Sequence, residues 1–235
     1  MAHRPANHIS LDTIAFKRII NTFVLIQISM ATKERILDTA ERLIATQGFA
    51  STSLRQIIGE AGVNLAAVHY HFGSKEDLLD EVILRKASAV NAERLALLER
   101  FEGEAGARPV TVEKVLTAFF EPMIKVGGRN PQFVKLMGRL HGEGLLPGLV
   151  EKHFSSTLAR FVTALQRAMP KLPEGELFWR MQFMFGAMSQ AACGWDVFPA
   201  GISVRKDAAD FGLVMRRLMV FLCAGFQAPP TQEVK

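Results

Sequence analysis

The chain has 235 residues, 49% of them apolar and 22% charged. That is enough to bury the core of a larger domain beside a small one, and it excludes wholesale disorder. The formal net charge of +5 favours a polyanionic partner without requiring one, and the absence of a fixed-period repeat excludes a solenoid.

Positions 16–28 are mostly apolar, follow Arg4 and contain Lys17 and Arg18, which imitates a secretory signal. Asn21, Thr22 and Gln27 interrupt the run, and it is too short to span a bilayer. The preferred reading of 1–29 is an extension from an upstream start codon, with Met30 as the natural start. A genuine extra helix packing on its own dimer is the alternative, and a membrane-surface segment is a third.

From residue 32 onward, helix signals run almost to the end and strand signals are nearly absent. The first expected helix covers 32–46, with Thr32 as N-cap and Ile36, Ala40, Leu43 and Ile44 on one apolar face. Gly48 closes it and Phe49 turns inward. A short second helix follows Thr52 or Ser53, where Ser53 and Gln56 fit a capping box. It runs through Leu54, Ile57 and Ile58 to Glu60. A tight turn at Ala61-Gly62-Val63 leads to a third helix over 65–72, capped by Asn64. Gly73 ends that helix, and Ser74 with Asp77 starts a long fourth one over about 75–101.

Residues 103–109 form the clearest linker. Further helices are expected at 112–126, 131–141, 149–169, 176–194 and 207–226. They are separated at Gly127-Gly128, 142–148, 170–173 and 199–203. Cys193 and Cys223 lack a partner motif and read as two buried thiols in a reducing cytoplasm.

Two short helices about a glycine turn make a helix-turn-helix. The helices cross closely, which needs the small Ala61, Gly62, Ala66 and Ala67, while Leu54, Ile57, Val63 and Val68 can face a shared core. The outward N-terminus of the second short helix then suits a phosphate. Acidic side chains slightly outnumber basic ones over 30–80, so DNA binding must rest on particular groups. His69 and His71 stand two apart and do not share a helix face, so no metal site is read there, and no cofactor is called for.

The segment "ERILDTAERLIATQGFASTSLRQIIGEAGVNLAAVHYHFGSKEDLL" resembles the N-terminal domain of the TetR family. The resemblance rests on Gly48-Phe49, Thr52, Ala61-Gly62-Val63 and the run from His71 to Leu79. It implies an all-α fold: an N-terminal three-helix helix-turn-helix domain plus a larger helical ligand-binding and dimerisation domain. The expected boundaries are 1–29 extension, 30–79 DNA-binding, 80–227 ligand-binding and dimerisation, and 228–235 tail. It also implies a cytoplasmic, homodimeric repressor of double-stranded operator DNA, with no enzyme activity and no membrane partner.

The resemblance implies phosphate contacts from Thr52, Ser53 and Lys75, with Asn64, Leu65, Ala67, His69 and Tyr70 on or near the exposed face of the recognition helix. His69 stands where the family usually has a phosphate-binding tyrosine. Arg55 reads either as a contact to a guanine edge or as a surface residue beside Glu60.

The middle helices are rich in Phe and Met. Phe119, Phe120, Met123, Phe133, Met137, Phe161, Met184, Phe185 and Met188 suggest an adaptable apolar pocket for a small apolar effector, against the plainer reading of ordinary core. Arg139 is the candidate anchor for a carboxylate or phosphate head, with His141, His153 and Gln182 as other polar groups. The last two helices are too apolar to stand exposed. By the resemblance they pair with their copies through Phe183, Ala187, Ala191, Phe211, Val214, Leu218, Phe221 and Leu222. "VNLAAVHYHFGSK" with "LPEGELFWRMQFMFGAM" resembles the fatty-acid-sensing branch of the family, which would imply a fatty acid or acyl-CoA effector. The rival reading is a helical enzyme or lipid-binding protein. Cys193, His141, His153 and Glu143 could serve chemistry, but they form no recognisable constellation.

Overall fold

A computed structural model describes residues 11–193 and 210–231, with backbone alone for 11–26, 67, 192 and 193. Among these residues all regular structure is helical. The N-terminal cluster comprises α1 (Leu11–Gln47), α2 (Leu54–Ala61) and α3 (Leu65–His71). The larger bundle comprises α4 (Lys75–Ala105), α5 (Val112–Arg129), α6 (Pro131–Gly142), α7 (Leu146–His153), α8 (Ser155–Ala168), α9 (Glu174–Cys193) and α10 (Phe211–Gln227).

The expected apolar stripe of α1 is the heart of the first core. Ile36, Ala40, Leu43 and Ile44 pack with Ile57, Val68, Leu78 and Val82. Phe133, Leu136 and Leu140 of α6 belong to the same core. A helix of the larger bundle therefore completes the DNA-binding cluster, and the packing does not divide at residue 79. The second core joins Leu98 of α4 to α5, α8, α9 and α10 through Phe119, Phe120, Phe161, Met184, Met215 and Phe226. Among the described residues, only α4 has buried residues in both cores.

Polar contacts brace the junction. Arg85 of α4 reaches Glu34, Asp38 and Glu41 of α1 at 2.7–2.8 Å. Burial works against its charge, yet the three carboxylates hold the guanidinium above its ordinary value. The other Glu41 oxygen accepts from Asn130 Nδ2 at 2.7 Å, tying α1 to the α5–α6 corner.

Several boundaries differ from expectation. Thr32 lies inside α1, where its hydroxyl donates to the Ile28 carbonyl at 2.8 Å instead of capping. α1 thus continues through the apolar run at 16–28, and Ile28 and Met30 stand exposed. α4 extends past 101 to a cap at Gly106, and α5 passes through Gly127-Gly128 to Asn130, which caps α6. The helix expected over 149–169 is two. α7 starts early with a proline in its first turn, and it breaks at Phe154, beside a His153 carbonyl that accepts from Asn91 Nδ2. α10 is capped by Asp210, and the separator expected at 199–203 lies outside the described residues. No helix among the described residues is long and apolar enough to cross a membrane.

Gly127 is required by packing, not by helix termination. A Cβ built there would overlap the Phe211 ring, whereas one at Gly128 meets nothing within 4 Å. The two adjacent glycines should therefore respond oppositely in chemical denaturation. Gly127→Ala should destabilise by about 1–3 kcal/mol through overpacking, and Gly128→Ala should stabilise by up to about 1 kcal/mol. Equal responses would contradict the Phe211 contact.

Candidate nucleic-acid interface and effector cavity

The α2–turn–α3 unit is built as its sequence demands. Ser53 Oγ accepts from the Gln56 amide at 3.1 Å, and Gly62 adopts the left-handed conformation that closes α2. The Gln56 side chain itself donates from Nε2 to Glu60 at 3.2 Å. Ser74 caps α4 and exchanges hydrogen bonds with Asp77 at both the amide and the carboxylate.

Val68 and Phe72 anchor α3 in the core while Leu65, His69 and Tyr70 face outward, Tyr70 at 82% exposure. Asn64 is exposed, and the Ala67 side chain lies outside the described residues. Arg55 is exposed on α2. Glu60, the neighbour considered for it, is paired with Arg42 at 2.5 Å.

Two expected contacts are placed differently. Thr52 is only 1% exposed; its hydroxyl donates to Gly48 O at 2.7 Å and its amide to Phe49 O at 3.2 Å. Both donors are spent inside the α1–α2 loop, so Ser53, not Thr52, presents a hydroxyl to solvent. His69 Nδ1 lies 3.1 Å from Gly73 O. A carbonyl only accepts, so Nδ1 carries the hydrogen, and donation from Nε2 to a phosphate would require the doubly protonated ring.

Lys75 and the loop form a junction that motif reading did not anticipate. Lys75 Nζ donates to Phe49 O at 2.5 Å and sits 4.1 Å from the centroid of the Phe49 ring. On the other side of the same residue, Glu143, the C-cap of α6, accepts from the Phe49 amide at 2.9 and 3.1 Å and from the Ala50 amide at 3.1 Å. Gly48 makes room for this carboxylate: its φ is +92°, and a Cβ there would overlap Glu143 Oε1. Arg139, one turn earlier on α6, donates to Thr46 O at 3.2 Å. Arg139 is therefore not the pocket anchor; it caps the end of α1.

The cavity lies between helices α4 to α10, and its volume is about 100 Å³. Phe119, Met123, Phe133, Met137, Phe185 and Met188 line it as expected. Phe120, Phe161 and Met184 do not line it; each is at most 1% exposed within the second core. Phe211, expected at the dimer face, lines the cavity instead.

The other polar candidates lie elsewhere. His141 and Gln182 are exposed. His153 pairs with Asp80 at 3.0 Å, and Lys152 reaches the other oxygen of the same carboxylate. Burial tends to raise the Asp80 carboxyl, but these two hydrogen bonds outweigh it and hold Asp80 below the usual range. Two polar groups that were not anticipated, Arg94 and Ser189, line the cavity.

α9 and α10 expose a broad apolar face. Phe183 is 65% exposed and Phe221 71%, together with Phe178, Trp179 and Val220, and Trp179 stacks on Phe183. Gly186 lies among them with open space above it. The expected interface set therefore divides. Phe183 and Phe221 face outward. Leu222 is buried in the protomer's own core, and Ala191, Val214 and Leu218 pack against that core. Ala187 is half-buried. The Cys193 side chain lies outside the described residues, and Cys223 is a free, half-buried thiol.

A solvent-facing recognition helix, set on a helical bundle that encloses an apolar cavity, is the architecture of a ligand-responsive DNA-binding regulator. The chain belongs to the TetR family of transcriptional regulators. Residues 36–82 match the model described as "Bacterial regulatory proteins, tetR family", and residues 117–225 match "Tetracyclin repressor-like, C-terminal domain". Among curated relatives, the HTH-type transcriptional regulator AcrR of Shigella flexneri is 26% identical over 214 residues, covering 88% of this chain and 97% of that protein. The HTH-type transcriptional regulator BetI of Rhizobium meliloti is 33% identical over 103 residues, 38% of this chain and 51% of that one. The fold is shared with the TetR-family regulator PfmR of Thermus thermophilus, with a TM-score of 0.53 and 20% identity. That match covers 84% of this chain and all of the other. A regulator of Aquifex aeolicus superposes with a TM-score of 0.52 at 23% identity, covering 81% of this chain and 97% of the other.

Glu143→Gln keeps the shape of the latch and removes its charge. Amide hydrogen exchange at Phe49 and Ala50 should accelerate about three- to tenfold, the equivalent of roughly 0.7–1.4 kcal/mol for a solvent-exposed hydrogen bond. Unchanged exchange at these amides would show that the carboxylate does not hold the loop.

Proposed function

We propose that this chain is a homodimeric repressor that reads operator DNA with α3 and releases it when a small apolar effector enters the cavity. The observation that carries the reading is the outward face of α3, held by Val68 and Phe72 at the end of α4 that also carries Lys75. Leu65, His69 and Tyr70, with Asn64 and Ala67, supply contacts in the major groove. Arg55 offers a guanidinium fork to a guanine edge, and Ser53 and Lys75 hold phosphates.

A single short helix reads too few bases for a specific site. Two copies roughly 34 Å apart, or a multiple of that, read two half-sites. The apolar face of α9 and α10 supplies the means of pairing. Fully burying Phe183 or Phe221 is worth roughly 1.5–3 kcal/mol each, and a patch of this kind is costly to leave in water.

Release follows from the double membership of α6. Phe133, Val134, Met137 and Gly138 form one cavity wall. The other end of the same helix carries Arg139 and Glu143, which hold Thr46, Phe49 and Ala50. An occupant that displaces α6 changes the tension on the loop whose Phe49 carbonyl positions Lys75. The resemblance to the fatty-acid-sensing branch supports a fatty acid as effector class. An acyl-CoA would have to leave its polar nucleotide outside this apolar lining.

Fluorescence anisotropy with DNA from upstream of its own gene tests the reading. Lys75→Ala should weaken binding to every sequence and reduce the salt slope by about one; an unchanged slope refutes its phosphate role. The double variant Phe183→Glu, Phe221→Glu should run at the mass of one chain in size-exclusion light scattering and lose specific binding. A wild-type chain that is itself monomeric at micromolar concentration would overturn the dimer.

A further inference from the structure

Arg94 of α4 is the anomaly of the second core. It is 5% exposed. Its Nε donates to Phe119 O at 2.8 Å and its Nη1 makes a long 3.4 Å contact to Asn91 Oδ1, while its guanidinium stacks 3.9 Å from the Phe119 ring centroid. Among the described residues no carboxylate lies within 4.0 Å of it. Part of this arrangement is structural. Pro122 sits inside α5 and loosens the local ladder of hydrogen bonds, and Arg94 Nε satisfies a carbonyl of that turn.

These contacts use two of the five donors and do not need a full charge. A buried cation without a counter-ion costs several kcal/mol, and the stack on Phe119 returns only about 2 kcal/mol. Burial pulls the guanidinium well below its ordinary value, to about 9, so it remains charged at neutral pH.

A second, independent group points to the same space. Ser189 of α9 is 7% exposed, and its Oγ is buried with no hydrogen-bond partner. Arg94 and Ser189 both line the cavity, and the remaining lining is otherwise apolar. A buried cation without a carboxylate partner and a buried hydroxyl without a hydrogen-bond partner line a common apolar space. A polar group left so is expensive unless something else satisfies it.

We infer that the effector is a compact apolar carboxylate whose head is held by Arg94 and Ser189 while its body lies among Phe119, Met123, Phe133 and Met137. This rests on the cavity being the effector site and adds the charge and placement of the head. A carboxylate accepts from a guanidinium fork and from a hydroxyl. A volume of about 100 Å³ is below the roughly 300–1,000 Å³ of drug-sized sites. The body is therefore a short chain or a single ring, and a long acyl chain enters only as the flexible methionines move aside.

Calorimetry on the full chain with hexanoate, 1-hexanol and hexylamine, which share one apolar chain and differ in head, tests the inference, with palmitate as a fourth arm. Hexanoate should bind at least tenfold tighter than hexanol, and hexylamine should not bind. Arg94→Met should erase the preference for hexanoate, Arg94→Lys should retain it, and Ser189→Ala should weaken hexanoate a few-fold and leave hexanol unchanged. Should Arg94→Met fail to fold, the Arg94 Nε–H resonance, assigned through Arg94→Lys, should shift with hexanoate and not with hexanol.

Palmitate binding with the same Arg94 dependence would extend the carboxylate class to long chains, and binding of hexanoate alone would confine it to short ones. Equal binding of hexanoate and hexanol would overturn the carboxylate head while leaving an apolar effector pocket in place. No binding by any of the four would overturn both.

Discussion

The peptide between Gly48 and Ala50 is the point on which the molecule turns. The N–H of Phe49 is held by Glu143 from α6, and its carbonyl by Lys75 from the start of α4. The loop can accept the carboxylate only because Gly48 has no side chain and tolerates a positive φ. Three helices with different tasks meet there. α1 carries the first core, α4 joins the two cores, and α6 walls the cavity. The Glu143 bonds are exposed, the Lys75 bond is partly buried, and all are individually modest, but they converge on Phe49 and its neighbour Ala50.

This arrangement is rigid where rigidity is needed. α6 contributes Phe133, Leu136 and Leu140 to the core of the DNA-binding cluster, so it cannot move without disturbing α1. Its other face contributes Phe133 and Met137 to the cavity. Close-packed interiors transmit such shifts because they lack free volume to absorb them. Arg85, with its three carboxylates, fixes α1 against α4.

The local grammar of the fold was legible in the sequence because it depends on neighbours in the chain. The Ser53 and Ser74 caps, the glycine closures at Gly62 and Gly73, and the buried stripe from Ile36 to Ile44 all follow from short-range rules. What the sequence hid depends on partners far along the chain. Gly127 looks like a helix breaker, yet it is a packing site for Phe211. Arg139 looks like a free anchor until Thr46 is brought beside it. Glu143, between two glycines in an apparent turn, gave no sign that it would reach residues nearly a hundred positions earlier. Arg94 sits in the polar-rich text of α4, where a surface position is the default. A signal was available: Val90, Arg94 and Leu98 fall on one helical face, and both neighbours are apolar.

The energies are of the size that regulation requires. A coupling of about 1–3 kcal/mol changes affinity about 5- to 150-fold, and one or two hydrogen bonds at the Phe49 junction span that range. A stronger latch would be harmful, since an effector can shift an equilibrium only by the difference in its affinity for the two states. Such a difference arises readily in a small cavity. An occupant near 100 Å³ has little surface with which to discriminate, but a desolvated guanidinium without a counter-ion supplies the missing selectivity. On the proposed reading, a modest apolar body is joined to one strong charge interaction, and the part of the cost of burying Arg94 that Phe119 and Asn91 do not return is recovered in the state that holds the ligand. On the same reading, the buried charge of Arg94 and the exposed latch at Phe49 are two ends of one design: a strong interaction at the cavity is matched to a light contact at the loop.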